Sequence, residues 1–246
     1  MLLRYERKYL VPYEMLDLIR KRIKPFLRGD IYGNGHRRFL PQYTVRSIYF
    51  DTRNLECHQE KTEGVELRKK FRIRTYNDYT EEAVAVFEIK KKIENRIHKH
   101  RAFVDWEDVP ALLETADITK YVHPDEDGLS YADASRFFFH LRKRHLTPTV
   151  LVVYEREAYH GVFDTGVRIT FDKNIRSSMN PKISDMFNNH DLKHLFKNHF
   201  ILEIKYFTDS MPTWAKSLVQ EFKLRHQALS KYTIGYDVHL QNQITY

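Results

Sequence analysis

Residues 71–76 read Phe-Arg-Ile-Arg-Thr-Tyr, and strand alternation puts Arg72 and Arg74 on one side with Phe71 and Ile73 on the other. Side chains two residues apart on a strand face lie about 7 Å apart. Two guanidinium groups at that separation repel by about 2 kcal/mol at an effective dielectric of roughly 20. Water screens such a cost, whereas a strongly anionic ligand exploits it. The pattern recurs along the chain. Glu6 shares a face with Lys8, Glu88 with Lys90, Tyr154 with Arg156, and Glu203 with Lys205. Arg168, Thr170 and Asp172 lie together opposite Val167, Ile169 and Phe171. For one strand, a solvent-facing side of an antiparallel sheet explains this well. It explains the whole set less well, because solvent faces usually mix Thr, Ser, Gln and Lys. Cations held together in excess need an anion to offset their mutual repulsion, so these types at this spacing suit a strongly anionic ligand. The carboxylates among them could pair with the excess cations or hold a divalent metal.

The elements that must position these groups are mostly strands. Alternation predicts them at 3–11, 44–52, about 65–77, 83–94 and 97–104, then at 148–160, 165–173 and 200–207. Helical spacing follows Pro12 to about Leu27, recurs in pieces between 106 and 145, and returns at 212–224 behind Pro212. Residues 28–35 read as a loop, and Leu229–Tyr236 leads into a short tail at about 237–246. The expectation is an α+β fold, one domain over 1–246, with a helical insertion at about 106–146. Charged strand faces combined with amphipathic helices that need an apolar sheet surface predict a closed antiparallel barrel. It would have about eight strands, a charged lumen and helices packed outside.

Composition narrows the partners. Hydrophobic residues make up 42% of the 246, with 16 Tyr and 16 Phe, which argues against disorder. A net charge of +8 points to an anionic partner without choosing among nucleic acid, phosphorylated metabolites and acidic membrane. Cys57 is the single cysteine, which excludes an intrachain disulfide and a multi-cysteine zinc site and fits a reducing compartment. No long apolar stretch suggests a signal peptide or a membrane span, so a soluble, cytoplasmic protein is expected.

Eight segments in order, YERKYLV, VRSIYFDT, RKKFRIRTY, FEIKKK, YEREAY, VRITFD, LEIKY and LSKY, resemble the VTC-type polyphosphate polymerase domain. This belongs to the triphosphate tunnel metalloenzymes, the CYTH-like superfamily, and the resemblance spans about residues 3–236. It implies a basic tunnel in which the terminal phosphoryl group of ATP passes to a growing polyphosphate chain with manganese or magnesium. Residue by residue, it implies that Lys8, Arg72, Arg74, Lys90, Arg156 and Arg168 are phosphate ligands of the catalytic site, and that Tyr154 contacts substrate. Ser230 and Lys231 match the family's C-terminal phosphate-binding pair, and Glu203 its metal-binding glutamate. Lys205 joins them as a substrate contact beside Glu203, and Glu6, Glu88 and Asp172 as supports for the metal or for the basic groups. Lys99 and Arg101, in the basic run 96–103, either line a tunnel mouth or sit on an exposed strand. The chain lacks the membrane and regulatory domains of the family's eukaryotic polymerases, so translocation of product is expected to need a separate membrane partner.

Three other functions compete. A triphosphatase on the same tunnel usually opens with Glu-x-Glu-x-Lys, whereas position 4 here is Arg, which favours the polymerase. A non-catalytic module for polyphosphate or inositol phosphates would bind without turnover. A nucleic-acid binder would need its cations along an open groove rather than on strand faces, so no nucleic acid is expected. His190, His194 and His199 have spacing that suits zinc on a helix but lack a His-Glu-x-x-His pattern; a solvated loop is expected there. Cys57 reads as a buried small residue, and Trp106 and Trp214 as packing residues at helix starts.

Overall fold

The computed structural model describes residues 5–30, 41–93, 96–164, 166–207 and 210–240. Residues 3–4 of the expected first strand, most of the 28–35 loop, residues 94 and 165, and the tail from 241 lie outside them. Along the chain run β1 (Tyr5–Pro12), α1 (Leu16–Ile23), β2 (Leu27–Gly29), β3 (Gln42–Asp51), α2 (Glu56–Thr62), β4 (Leu67–Tyr76), β5 (Val84–Ile93) and β6 (Arg96–Asp105). Then come α3 (Val109–Thr115), α4 (Ile118–Tyr121), α5 (Leu129–Lys143), β7 (Thr147–Gly161), β8 (Arg168–Met179), β9 (Lys193–His194), β10 (His199–Tyr206), α6 (Thr213–Glu221) and α7 (Lys231–Leu240).

The ten strands form one sheet in the order β1-β10-β8-β7-β3-β4-β5-β6, with β2 beside β7 and β9 beside β8. The path has ends at β1 and β6, so among the described residues the sheet is open, where a closed barrel was expected. Both edges are capped by neighbouring chain. At β1, Gln227 N donates to Lys8 O at 2.9 Å, and Tyr9 bridges to His226. At β6, His123 N donates to Phe103 O at 2.8 Å, and Val104 bridges to Val122. An edge satisfied this way presents fewer free backbone groups to another strand.

By internal contacts the chain divides into two compact units. The first comprises Met1–Thr44, Tyr154–Arg176 and His194–Ser230. Its core lies on one side of β1, β10 and β8, where Tyr9, Val11, Ile169, Phe171, Phe200, Leu202 and Ile204 are buried. Ile19 and Ile23 of α1 and Ala215 and Leu218 of α6 cover them. Trp214 stacks on Phe26 with ring centres 5.0 Å apart, the packing role expected of it.

The second unit comprises Val45–Val153, Ser177–Lys193 and Lys231–Tyr246. Here α5 lies across β3, β4 and β5. Phe137 is buried and touches Phe50, Phe71 and Phe87, one ring from each strand, at 6.0, 6.2 and 5.2 Å. Burying a phenylalanine of this kind contributes about 1.5–3 kcal/mol. Gly128 precedes α5 with φ of 64°, a left-handed conformation that glycine adopts without strain. Trp106 packs edge-on against Phe187 at 5.1 Å.

Two helices run against the expectation. Residues 231–240 form α7 rather than a lead into a tail. Gly235 interrupts its propensity but lets the helix pack closely, since a Cβ there would lie 3.3 Å from Ser177 Cβ and 3.4 Å from Val150 Cγ1. Polar α2 has no apolar stripe and starts on Asp51, whose carboxylate accepts from Thr52, Cys57 and His58 backbone N–H groups at 2.7, 2.9 and 3.0 Å. The histidine-rich stretch holds only the two-residue β9 and no helix that could pair His190 with His194.

Candidate active site

In the second unit, register builds one charged face from β3 to β6. Tyr49 lies opposite Arg72, Arg72 opposite Glu88, and Glu88 opposite Arg101. One row away, Ser47 lies opposite Arg74, and on the other side Lys70, Lys90 and Lys99 stand side by side. Parity adds Arg68 and Lys92 to the same face. Glu88 is nearly fully buried in the middle of it and forms ion pairs with Arg72 and, at 3.1 Å, with Arg101. Burial pushes the Glu88 carboxyl up, but Arg72, Arg74, Lys99 and Arg101 outweigh it and hold the group well below the usual carboxylate range. Arg72 also donates to Tyr49 Oη at 3.0 Å, and Arg74 donates to Ser47 Oγ at 3.1 Å. Burial opposes ionisation of Tyr49; Arg72, Arg74 and Lys231 reverse that and lower its pKa.

Lys231 opens α7, and the next residue fixes that helix. Tyr232 is buried, hydrogen-bonds Asp51 and stacks on Tyr49 at 5.3 Å. The phenol–carboxylate bond thus anchors the helix start that brings Lys231 to the Tyr49–Arg72 neighbourhood. Ser230, just before it, is buried.

In the first unit, the face opposite the core carries a second charged set. Glu6, Lys205 and Arg168 form one row across β1, β10 and β8, and Lys8, Glu203 and Thr170 the next. Lys8 Nζ sits 2.9 Å from Glu6 and donates to Leu229 O at 3.2 Å. Lys205 pairs with Glu203 and lies 3.9 Å from Glu6. Arg156 grips fully buried Asp172 through Nε and Nη2 at 2.6 and 2.8 Å, and its guanidinium lies over the Tyr154 ring at 5.2 Å. Arg168 donates to Asp30 at 3.2 Å and to Tyr43 Oη at 3.1 Å.

Desolvation works against Lys8, Arg156 and Lys205. For Lys8 the carboxylates of Glu6, Glu203 and Asp172 overcome it and raise the pKa, and for Arg156 Asp172 and Tyr154 do the same. For Lys205 burial wins: Glu203 and Glu6 support its charge while Arg156 opposes it, and the pKa falls. A protonated cation that the fold itself destabilises is poised to gain from an arriving anion.

Each unit therefore gathers its share of the expected residues on one face: Arg72, Arg74, Glu88, Lys90, Lys99, Arg101 and Lys231 in one, and Glu6, Lys8, Tyr154, Arg156, Arg168, Asp172, Glu203 and Lys205 in the other. The carboxylates differ in what they do. Asp172 orients Arg156, and Glu88 orients Arg72 and Arg101. Glu203 and Glu6, flanked by Lys8 and Lys205, are the pair whose hard oxygen donors suit a divalent cation. No cluster of three metal-ligating side chains occurs among the described residues, so the donor set fits a metal bound by one or two carboxylates together with phosphate oxygens. Sequence reading missed Asp30, Tyr43, Ser47 and Tyr49. The last two were within reach of strand parity, since Ser47 and Tyr49 alternate with Ile48 and Phe50.

The family model for the VTC domain matches residues 3–240. The chain belongs to the VTC domain family. No curated protein matches its sequence. Among solved structures, this VTC domain is similar to HpAC1 from Hippeastrum, a proposed adenylyl cyclase described as having a dominant triphosphatase activity. The TM-score is 0.51 at 14% identity, covering 96% of both chains. The PH1819 protein from Pyrococcus horikoshii OT3 aligns with a TM-score of 0.46 at 13% identity, over 97% of this chain and 99% of that one. The first likeness shows that the VTC domain shares the fold of HpAC1, and no helix among the described residues is long and apolar enough to cross a membrane.

Proposed function

We infer that this VTC domain is a polyphosphate polymerase, transferring the γ-phosphoryl group of ATP onto an inorganic polyphosphate chain, with the whole chain acting as one catalytic domain. The observation that carries the reading is the row Tyr49–Arg72–Glu88–Arg101 beside Lys70–Lys90–Lys99. It is a cationic surface held rigid by one buried carboxylate. Phosphoryl transfer asks for in-line positioning and charge neutralisation more than for covalent work by the protein. Arg72 and Arg74 bind phosphate oxygens, with Glu88, Tyr49 and Ser47 fixing their orientation. Lys90, Lys99, Arg101 and Lys231 extend the cationic surface to further phosphates. On the other charged face Lys8, Arg156 and Arg168 bind phosphate, with Asp172 setting the Arg156 fork and Asp30 holding Arg168. Tyr154, Lys205 and Ser230 complete that set. Glu203 with Glu6 would hold a divalent metal, manganese or magnesium, and such a metal would supply further charge neutralisation.

The enzyme works in the cytoplasm on ATP and polyphosphate, binds no nucleic acid, and leaves any translocation of product to a separate membrane protein. HpAC1 favours a second reading, hydrolysis of a triphosphate on the same surface. Incubation with ATP and manganese separates the two: polymer with ADP supports the polymerase, free phosphate without polymer the triphosphatase. Glu203→Ala should nearly abolish metal-dependent turnover with the fold intact, and full activity would remove the metal assignment. Arg72→Ala should weaken ATP binding and slow turnover; unchanged kinetics would put this face outside the site.

A further inference from the structure

The side of β4–β6 that faces away from Arg72 carries a second basic row. Lys69 lies opposite Lys91, and Lys91 opposite His98, near the last residues of β5 and the first of β6. All three are half-buried. The neighbouring row, Phe71–Ile89–His100, runs under α5, and His140 of that helix sits with its ring 5.3 Å from Phe71. Burial, with Lys69, Arg144 and Lys143, pushes His140 down to about 4, so its neutral Nε2 accepts from Lys69 Nζ at 3.1 Å.

The nearby acids among the described residues are already engaged. Glu56 and Glu60 take Arg144 at 2.7 and 3.1 Å, and Asp133 takes His100 and Arg136 at 2.9 and 2.6 Å. Lys69 thus has an imidazole where a carboxylate would be expected. The side chains of Lys91 and His98 have no hydrogen-bond or ion-pair partner among the described residues. Like charges directly opposite one another in a ladder are destabilising. Burial, Lys91 and Arg144 together lower the Lys69 pKa despite Glu60. Among the described residues this row is short of an anion.

We propose that Lys69, Lys91, His98 and His140 form a second phosphate-binding site that holds the distal part of an inorganic polyphosphate chain. The proposal rests on reading the Arg72 face as a phosphate site. What selects a chain over a single phosphate is the pairing of neighbours: Lys69 with Lys70, Lys91 with Lys90 and His98 with Lys99 point to opposite sides of the same three strands. A flexible polyanion that rounds the end of the sheet meets Lys69 and Lys91 on one side and Lys70 and Lys90 at the same level on the other, whereas a single phosphate can use only one side.

The test is a binding titration at fixed low salt with the Lys91→Ala/His98→Ala double variant, using tripolyphosphate and long-chain polyphosphate as probes. The variant should lose about tenfold in affinity for the long chain and keep its affinity for tripolyphosphate. Equal loss for both probes, or none for the long chain, would overturn the proposal. So would an equal loss for single-stranded DNA, which would mark a general polyanion surface. If the alanine pair does not fold, judged by circular dichroism, Lys91→Gln/His98→Gln replaces it under the same criteria. Failure of the wild-type protein to bind either probe would overturn the Arg72 reading and this one with it. Binding of both by wild type and variant alike overturns this one alone.

Discussion

Replacing Arg156 with methionine tests whether the charged face of the first unit is a built ion network. Asp172 is fully buried and accepts from Arg156 through both carboxylate oxygens at 2.6 and 2.8 Å. Methionine keeps much of the stem and removes the fork. Breaking a buried pair from one side costs about 3–5 kcal/mol, because the partner charge stays buried. With a urea slope of about 3 kcal/mol per M, the upper end of the usual range and apt for a long chain, the midpoint should fall by about 1–1.7 M. Adding Asp172→Asn removes the stranded charge and should restore at least half of the loss, since neighbouring sites couple rather than add. Circular dichroism during urea titration of wild type, both single variants and the double variant reads all four corners of the cycle. A shift below about 0.3 M for Arg156→Met, or a double variant no more stable than the single, would refute the reasoning.

Two further outcomes follow from the second unit. Glu88 has its pKa depressed in the fold, so it contributes stability above the unfolded carboxylate value of about 4.3, and that contribution is lost as pH falls toward the folded value. The stability gap between wild type and Glu88→Gln should therefore narrow steadily below about pH 4; a gap that stays constant from neutral pH into acid would contradict the pairing. Tyr232→Phe keeps the stack on Tyr49 and removes the donor to Asp51, which should cost about 1.5–3 kcal/mol in thermal unfolding and weaken ATP binding through Lys231. Unchanged stability would mean that the backbone amides of α2 satisfy Asp51 by themselves.

Strand parity explains what could be read in advance. Each charged pair two residues apart landed on the face assigned to it, because the period of a strand is fixed by the pleat and Phe71, Ile73, Ile169 and Phe171 mark the other side. Closure was not legible. Whether a sheet closes depends on what satisfies its edges, and Gln227 and His123 are too far in sequence from Lys8 and Phe103 to announce those bonds. Helix α2 was hidden because it is held by Asp51 rather than by an apolar stripe, and α7 because it contains Gly235, a residue that argues against helix on propensity alone. Asp30 shows no local signal: it matters through Arg168 and His160, more than a hundred positions away.

The contact of Phe137 with three strands bears on how the hairpins find their alignment. Shifting β4 against β5 by one residue is forbidden, since it would turn the apolar side outward. Shifting by two keeps parity, and electrostatics hardly objects: Glu88 would then face Arg74 or Lys70 in place of Arg72. The link from Tyr76 to Val84 is too long to fix the pairing as a tight turn would. The choice falls to shape. Only the observed alignment sets Phe50, Phe71 and Phe87 around one ring, so Phe137 acts as a vernier for the hairpin. A smaller residue there would let slipped pairings compete during folding, and phosphate affinity would be lost through misalignment with every arginine still present.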